Sequence, residues 1–216
     1  MHFGIFVEEM RYGASQVSAF RDAFDLAQRA EDWGLDCVWL GEIHFTPNRS
    51  VISASLQVAS SIATRTRRLR VGTAVTVLPL NHPLRIAEEI ATLDHISEGR
   101  LEFGIGRSGV ARSYDSYGIA YGESQARFRE ALDIIREAWK GEPFSYEGEF
   151  YRFQNTTVAP RPGIIVTLRC TTCSGAGSSA SRTVRRATAS STTRCSAMAS
   201  AAPRQRRMPP PNGIHV

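Results

Sequence analysis

The chain has 216 residues, 42% of them hydrophobic and 22% charged, with a formal net charge of +5. That is enough for one substantial buried core. It contains no 18-residue apolar run and opens without a basic, apolar leader, so neither a transmembrane helix nor a signal peptide is expected, and the expectation is a cytoplasmic protein.

The charge is unevenly placed. All 21 acidic residues lie at or before Glu149, where they outnumber 16 basic ones, and the remainder carries ten Arg and no acid. Such a division predicts two parts with different physical fates.

Residues 2–7 read as a first strand. Residues 18–33 carry Phe20, Ala23, Phe24, Ala27 and Ala30 at helical spacing and stop at Gly34. Residues 36–40 form a buried strand, and its Cys37 reads as a packed thiol. Residues 41–50 are a polar loop with Glu42, His44, Asn48 and Arg49. A second helix over 51–64 precedes a third strand over 69–78. Pro83 suits the first turn of the next helix. Leu84, Ala87, Ile90, Ala91, Leu93 and Ile96 mark its apolar face, and Glu98-Gly99 its stop.

Leu101, Phe103 and Ile105 then make a short apolar strand. Gly104 and Gly106 allow close backbone approach, and Arg107 stands at the mouth. Residues 110–122 read as loop. A fourth helix over 123–140 turns Phe128, Leu132, Ile135 and Trp139 inward. Residues 144–153 read as a hairpin centred on Glu147-Gly148, an excursion from the main sheet. The βαβαβαβα order predicts an α/β fold with a parallel sheet and right-handed crossovers.

Of the last 50 residues, only Leu168, Val184, Ile214 and Val216 are Leu, Ile, Val or Phe. Such a segment cannot bury enough apolar area to offset its ordering entropy. The expected division is therefore a domain over 1–168 and a disordered, basic Ser/Thr/Ala/Arg-rich tail over 169–216. The abrupt change in composition is what a shifted reading frame in a GC-rich gene produces. A native basic arm for nucleic acid is the rival reading. Its ten Arg suit phosphates, but the absence of any aromatic beyond Phe153 argues against base stacking. Cys170 and Cys173 make half a zinc site with poorly placed partners in Cys195 and His215, so no metal is expected.

Four stretches carry a resemblance: MHFGIF, EDWGLDCVWLGEIHF, RLRVGTAVTVLPLNHP, and NHPLRIAEEIATLDHISEGRLEFGIGRS. In this order they resemble the bacterial-luciferase-like flavin-dependent monooxygenase family, over roughly residues 1–162. The resemblance implies a (β/α)8 TIM-type barrel. Four units would be its N-terminal half, since a full barrel takes about 250 residues. A C-terminally truncated and inactive chain is the corresponding expectation.

The resemblance also implies reduced FMN and O2 acting on a small organic substrate such as an aldehyde, a separate flavin reductase, and a homodimer. A dehydrogenase dependent on the deazaflavin coenzyme F420 is the nearest alternative. A non-catalytic product that interacts only through its basic tail is another.

The site residues follow from the same resemblance. The family's loop after the second strand often carries two adjacent histidines, the first an acid–base group. Ile43 stands in that place here, so His44 reads either as the surviving acid–base group or as a packed loop histidine. Ala74 and Val75 lie where the family can use a non-proline cis peptide beside the isoalloxazine. Gly106, Arg107 and Ser108 lie where it receives the FMN phosphate. Gly104, Gly106 and Gly109 also satisfy a dinucleotide fingerprint, which requires a helix opening at the third glycine. His82 and His95 read as structural.

Overall fold

The computed structural model describes residues 2–8, 15–163, 167–170 and 181–183. The elements, in chain order, are β1 (Gly4–Val7), α1 (Gln16–Asp32), β2 (Cys37–Leu40), α2 (Ser55–Ala63), β3 (Arg70–Thr73), β4 (Thr76–Val77), α3 (Pro83–Ile96), β5 (Leu101–Gly106), α4 (Ala111–Ser116), α5 (Ser124–Ala138), β6 (Phe144–Glu147), β7 (Arg152–Thr156), β8 (Thr167–Cys170) and β9 (Ser181–Thr183). The main sheet runs β1-β2-β3-β5-β8-β9, with β4 also paired to β5. Neighbours from β1 to β8 are parallel, and β9 returns antiparallel on β8. The strand-then-helix order expected from the sequence is therefore the architecture.

Two of the helices have a local reason for where they start or stop. Ser15 caps α1, its Oγ accepting the Ser18 N–H at 3.1 Å. Pro83 starts α3, and Glu98 and Gly99 end it in left-handed conformation, φ 53° and 77°. The helices cover one face of the sheet. Val7, Val38, Leu40, Val71, Leu101, Phe103 and Ile105 point into that layer, against Ala27 and Ala30 of α1, Ile62 of α2, Ile90 of α3 and Ile135 of α5. Alternation puts Gly4 and Phe6 of β1, Cys37 and Trp39 of β2, Arg70 and Gly72 of β3, and Glu102 and Gly104 of β5 on the opposite face. There the Trp39 ring lies over Gly72, and Arg70 pairs with the buried Glu102 at 2.7 Å.

The expected third strand, 69–78, is corrected. It divides into β3 and β4, with Ala74–Val75 between them and a 3-10 turn over Leu78–Leu80 after. Gly72 pairs with Glu102 and Thr76 with Ile105, so one extra residue sits on this side of the ladder, as in a β-bulge. The Thr73 hydroxyl bridges the gap, donating to the Gly104 carbonyl at 2.8 Å and accepting the Gly104 N–H at 3.1 Å.

Other boundaries shift too. Helix α2 begins at Ser55, not 51, because Ile52 is tied into the preceding loop by Ile43 N–H to its carbonyl and by its own N–H to Ser50 Oγ. Residues 111–116, expected as loop, form α4. Ile96, placed on the apolar face of α3, is exposed. The hairpin turn spans 148–151, pinned by the Glu130 carboxylate accepting the N–H groups of Phe150 and Tyr151.

Strand β8 spans the expected 168/169 boundary, and the three-residue β9 lies beyond it. The open edge of β5 explains this, since main-chain pairing needs no apolar side chains. Residues 171–180 and 184–216, with Cys173, Cys195 and His215, lie outside the described residues, as does most of the expected tail.

Two expectations follow. A methyl at Gly104 would run into the Thr73 carbonyl oxygen, so Gly104→Ala lowers stability by about 1–3 kcal/mol; an unshifted urea midpoint would refute this. Burial tends to raise the Glu31 carboxyl, but the N–H groups of Arg68, Leu69 and Arg67 outweigh it and hold it below its ordinary 4.5. Its stabilisation is thus full above pH 4.5 and lost as pH falls through the lowered folded value. Glu31→Gln is expected to be less stable at neutral pH and to lose less on acidification, as read by denaturant titrations at pH 7 and pH 3.

Candidate functional site

Parallel strands bring their following loops to one rim. Here that rim collects residues 41–54 after β2, the Ala74–Val75 bend, residues 107–110 after β5, and α4. Glu8, at the end of β1, joins them by an ion pair to Arg49 across Gly41.

Glu42 organises the β2 side. Its side chain is 5% exposed. Oε1 lies 3.0 Å from His44 Nε2 and accepts the Val77 N–H at 3.4 Å, while Oε2 accepts from Ser55 Oγ at 3.3 Å. One carboxylate thus links β2, α2 and β4. The other ring nitrogen of His44, Nδ1, is 3.3 Å from the Tyr117 hydroxyl. Tyr117 meets the His44 ring edge-on at 5.4 Å and the Phe45 ring at 5.3 Å. The loops after β2 and β5 therefore touch through His44, Phe45 and Tyr117.

Arg107 organises the β5 side. Its Nη1 donates to Ser124 Oγ at 3.1 Å, and its Nε is buried without a hydrogen-bond partner among the described residues. Ser124 opens α5. A guanidinium beside a helix N-terminus is a place where two positive potentials add, which favours an anion. The orphaned Nε–H fits a phosphate oxygen, an acceptor that Arg binds well. Tyr114, fully buried, donates its hydroxyl to the Arg107 carbonyl and packs edge-on against Tyr121. Burial, helped by Tyr121 and opposed by Arg107, pushes its phenol up to about 12.

The other expected residues fall as follows. The Ala74–Val75 peptide is cis, the form the resemblance allows there. It adjoins the end of β5, since Val77 pairs with Gly106. Ser108 takes φ 60°, and its Oγ accepts the Val110 N–H at 3.2 Å. Gly109 is followed by the six-residue α4, which is too short for the helix of a dinucleotide fold. His82 makes no side-chain cap and packs edge-on against Tyr151. His95 bonds the Arg161 carbonyl at 2.8 Å. Among the described residues no group of three His, Cys, Asp or Glu could hold a metal.

Four residues of the rim were not singled out from sequence: Glu42 as an organiser, Tyr117, Tyr114 and Ser124. Glu42 stood two residues before His44 and was legible as a neighbour. Tyr117 is 73 residues from His44, and nothing local marks that pairing.

The chain matches the family described as "Luciferase-like monooxygenase" over residues 1–202, beyond the 162 at which the motif-by-motif likeness ends. It is 32% identical over 166 residues to the oxygenase component of a flavin-dependent trigonelline monooxygenase from Acinetobacter baylyi, covering 75% of this chain and 46% of that protein. It is 37% identical over 145 residues to an F420-dependent glucose-6-phosphate dehydrogenase from Kineococcus radiotolerans, covering 64% and 42%. Among solved structures, it superposes with TM-score 0.68 on the oxygenating constituent of 3,6-diketocamphane monooxygenase from Pseudomonas putida, determined with FMN, at 26% identity and covering 72% and 45%. The chain spans about half the length of the curated relatives it matches. It belongs to the luciferase-like monooxygenase family.

Tyr114 yields a test of the β5 side. Because its phenol titrates near 12 when folded, against 10.0 ordinarily, its burial favours the folded state below pH 10 and this is lost as pH rises through 12. Tyr114→Phe is expected to cost about 1 kcal/mol at neutral pH and to flatten the stability loss between pH 10 and 12. An unchanged alkaline limb in urea titrations would refute the assignment.

Proposed function

We propose that this member of the family serves a flavin-dependent oxygenase that oxidises a small organic molecule, with FMN held at the strand rim. The observation that carries this is the Arg107 guanidinium, its Nε buried and, among the described residues, unpartnered beside the first residue of α5. Reduced FMN, when bound, supplies the electrons that activate O2.

The chain's own residues have separate tasks in this reading. Arg107, with the Ser108 hydroxyl, binds the phosphate. Ala74, Val75 and Gly106 offer a rim with little side-chain bulk, so that a flat ring can approach the main chain. His44, held by Glu42, supplies a nitrogen that can take or give a proton. Phe45 and Tyr117 wall off part of the mouth and limit water. The same reading carries O2, a separate flavin reductase and a homodimer as partners.

A second reading keeps the rim and exchanges FMN for F420, making the chain part of a dehydrogenase. The 37% identity to an F420-dependent enzyme favours it. Arg107 and His44 serve both.

The experiment is cofactor titration of the purified chain, followed by flavin fluorescence. FMN binding is expected, and Arg107→Ala is expected to weaken it by roughly 10- to 100-fold, the effect of one charge-assisted hydrogen bond. Binding of F420 alone would transfer the assignment to the dehydrogenase reading. An Arg107→Ala variant that binds FMN as tightly as the parent would remove Arg107 from the site.

A further inference from the structure

The rim holds a line of three polar groups, Glu42, His44 and Tyr117, whose order gives them a direction. An ionised carboxylate can only accept. With the imidazole neutral, an ionised Glu42 Oε1, 3.0 Å from His44 Nε2, places the ring hydrogen on Nε2 and leaves Nδ1 with a lone pair. In that tautomer the Tyr117 hydroxyl, 3.3 Å from Nδ1, is the donor. The outer and inner ends also differ in access. The side chains of Glu42 and His44 are 5% and 10% exposed, while Tyr117 is 46% exposed. The imidazole is covered, and Tyr117 is the member of the line exposed enough for a bound molecule to reach.

We propose that these three groups are a proton relay that takes a proton from a hydroxyl-bearing substrate, a phenol or an alcohol. Tyr117 is the catalytic residue that meets the substrate, His44 the proton acceptor behind it, and Glu42 a positioning residue. The inference rests on the reading of this rim as the substrate site. The step balances without a co-reactant. The substrate O–H proton passes to Tyr117 Oη as the Tyr117 proton passes to His44 Nδ1. The O–H electron pair stays on the substrate oxygen, giving a phenolate or alkoxide. The imidazolium that forms faces the Glu42 carboxylate, which is already in place and needs no reorganisation. The Val77 N–H and Ser55 hydroxyl hold that carboxylate from two further elements, so the tautomer does not depend on one loop.

Packing alone would place an aromatic ring at 117, since Phe45 and the His44 ring contact its faces and edge. It would not require the hydroxyl to meet Nδ1. Tyr117→Phe separates the two roles, because it keeps the ring and removes the proton.

The test uses the full 216-residue chain, labelled with 15N at histidine, as parent, Tyr117→Phe and Glu42→Gln. In the parent, the His44 ring is expected as a single tautomer, protonated at Nε2 and hydrogen-bonded at Nδ1. Tyr117→Phe shifts Nδ1 toward the value of a free, unprotonated nitrogen and leaves Nε2 in place. Glu42→Gln loses the single tautomer. The same samples are titrated with 4-nitrophenol, whose absorbance reports its ionisation. Binding to the parent raises the phenolate band, and Tyr117→Phe loses that rise. Equal Nδ1 shifts in parent and Tyr117→Phe would overturn the relay. So would an equal phenolate band in both, or no binding of 4-nitrophenol by the parent. FMN and F420 titrations of the parent stand apart: their failure sinks the cofactor reading, while the ring nitrogens still decide the relay.

Discussion

The rim depends on one close approach, that of β5 to the end of β3 at Gly104 and Thr73. Only a residue without a side chain lets the Thr73 carbonyl sit where it does. The Thr73 hydroxyl then satisfies both main-chain groups of Gly104, which the interrupted ladder would leave unpaired. With that contact made, the chain can carry one extra residue past β5 and resume pairing at Thr76. The bend at Ala74–Val75 is thereby directed to the rim, and the Val77 N–H comes within reach of Glu42. Moving this one contact would move the organiser of the β2 loop with it.

Two kinds of buried polar group stand at the rim, and they are satisfied to different degrees. On the β2 side a carboxylate is covered, and its two oxygens receive a main-chain N–H, a hydroxyl and an imidazole. A buried charge is tolerated when so surrounded. On the β5 side a guanidinium keeps one buried N–H without an acceptor among the described residues. An unmet donor of this kind is unfavourable by about 1–3 kcal/mol, which an anionic ligand would relieve. In the proposed reading this asymmetry separates binding from proton transfer, with the phosphate at Arg107 and the acid–base step at the Glu42–His44–Tyr117 line.

The layer beneath gives the rim its stiffness. Ala23, Ala27 and Ala30 let α1 lie close on the sheet, while Ile62, Ile90 and Ile135 fill the space over β3 and β5. Trp139 adds a hydrogen bond to the Ala87 carbonyl at 3.1 Å, tying α5 to α3, and packs edge-on against Phe103. Arg107 and Ser124 therefore rest on elements fixed through the same core, and their 3.1 Å contact needs no mobile loop to form.

Periodicity in the sequence by itself determined the strand–helix alternation, the apolar faces of α1, α3 and α5, the stop at Glu98-Gly99, and the placing of His44 and Arg107 after strands. These are local properties, written in residues within one or two turns of each other. What tertiary structure decided was every pairing across long separations: Thr73 with Gly104, Glu42 with Val77, His44 with Tyr117, Arg107 with Ser124. It also divided the third strand, converted part of the expected loop into α4, and paired β8 with β5 and β9 with β8. The reason is physical. Spacing along a chain reports which face a residue occupies, whereas a hydrogen bond between residues 73 apart exists only once the sheet has brought two loops to one edge.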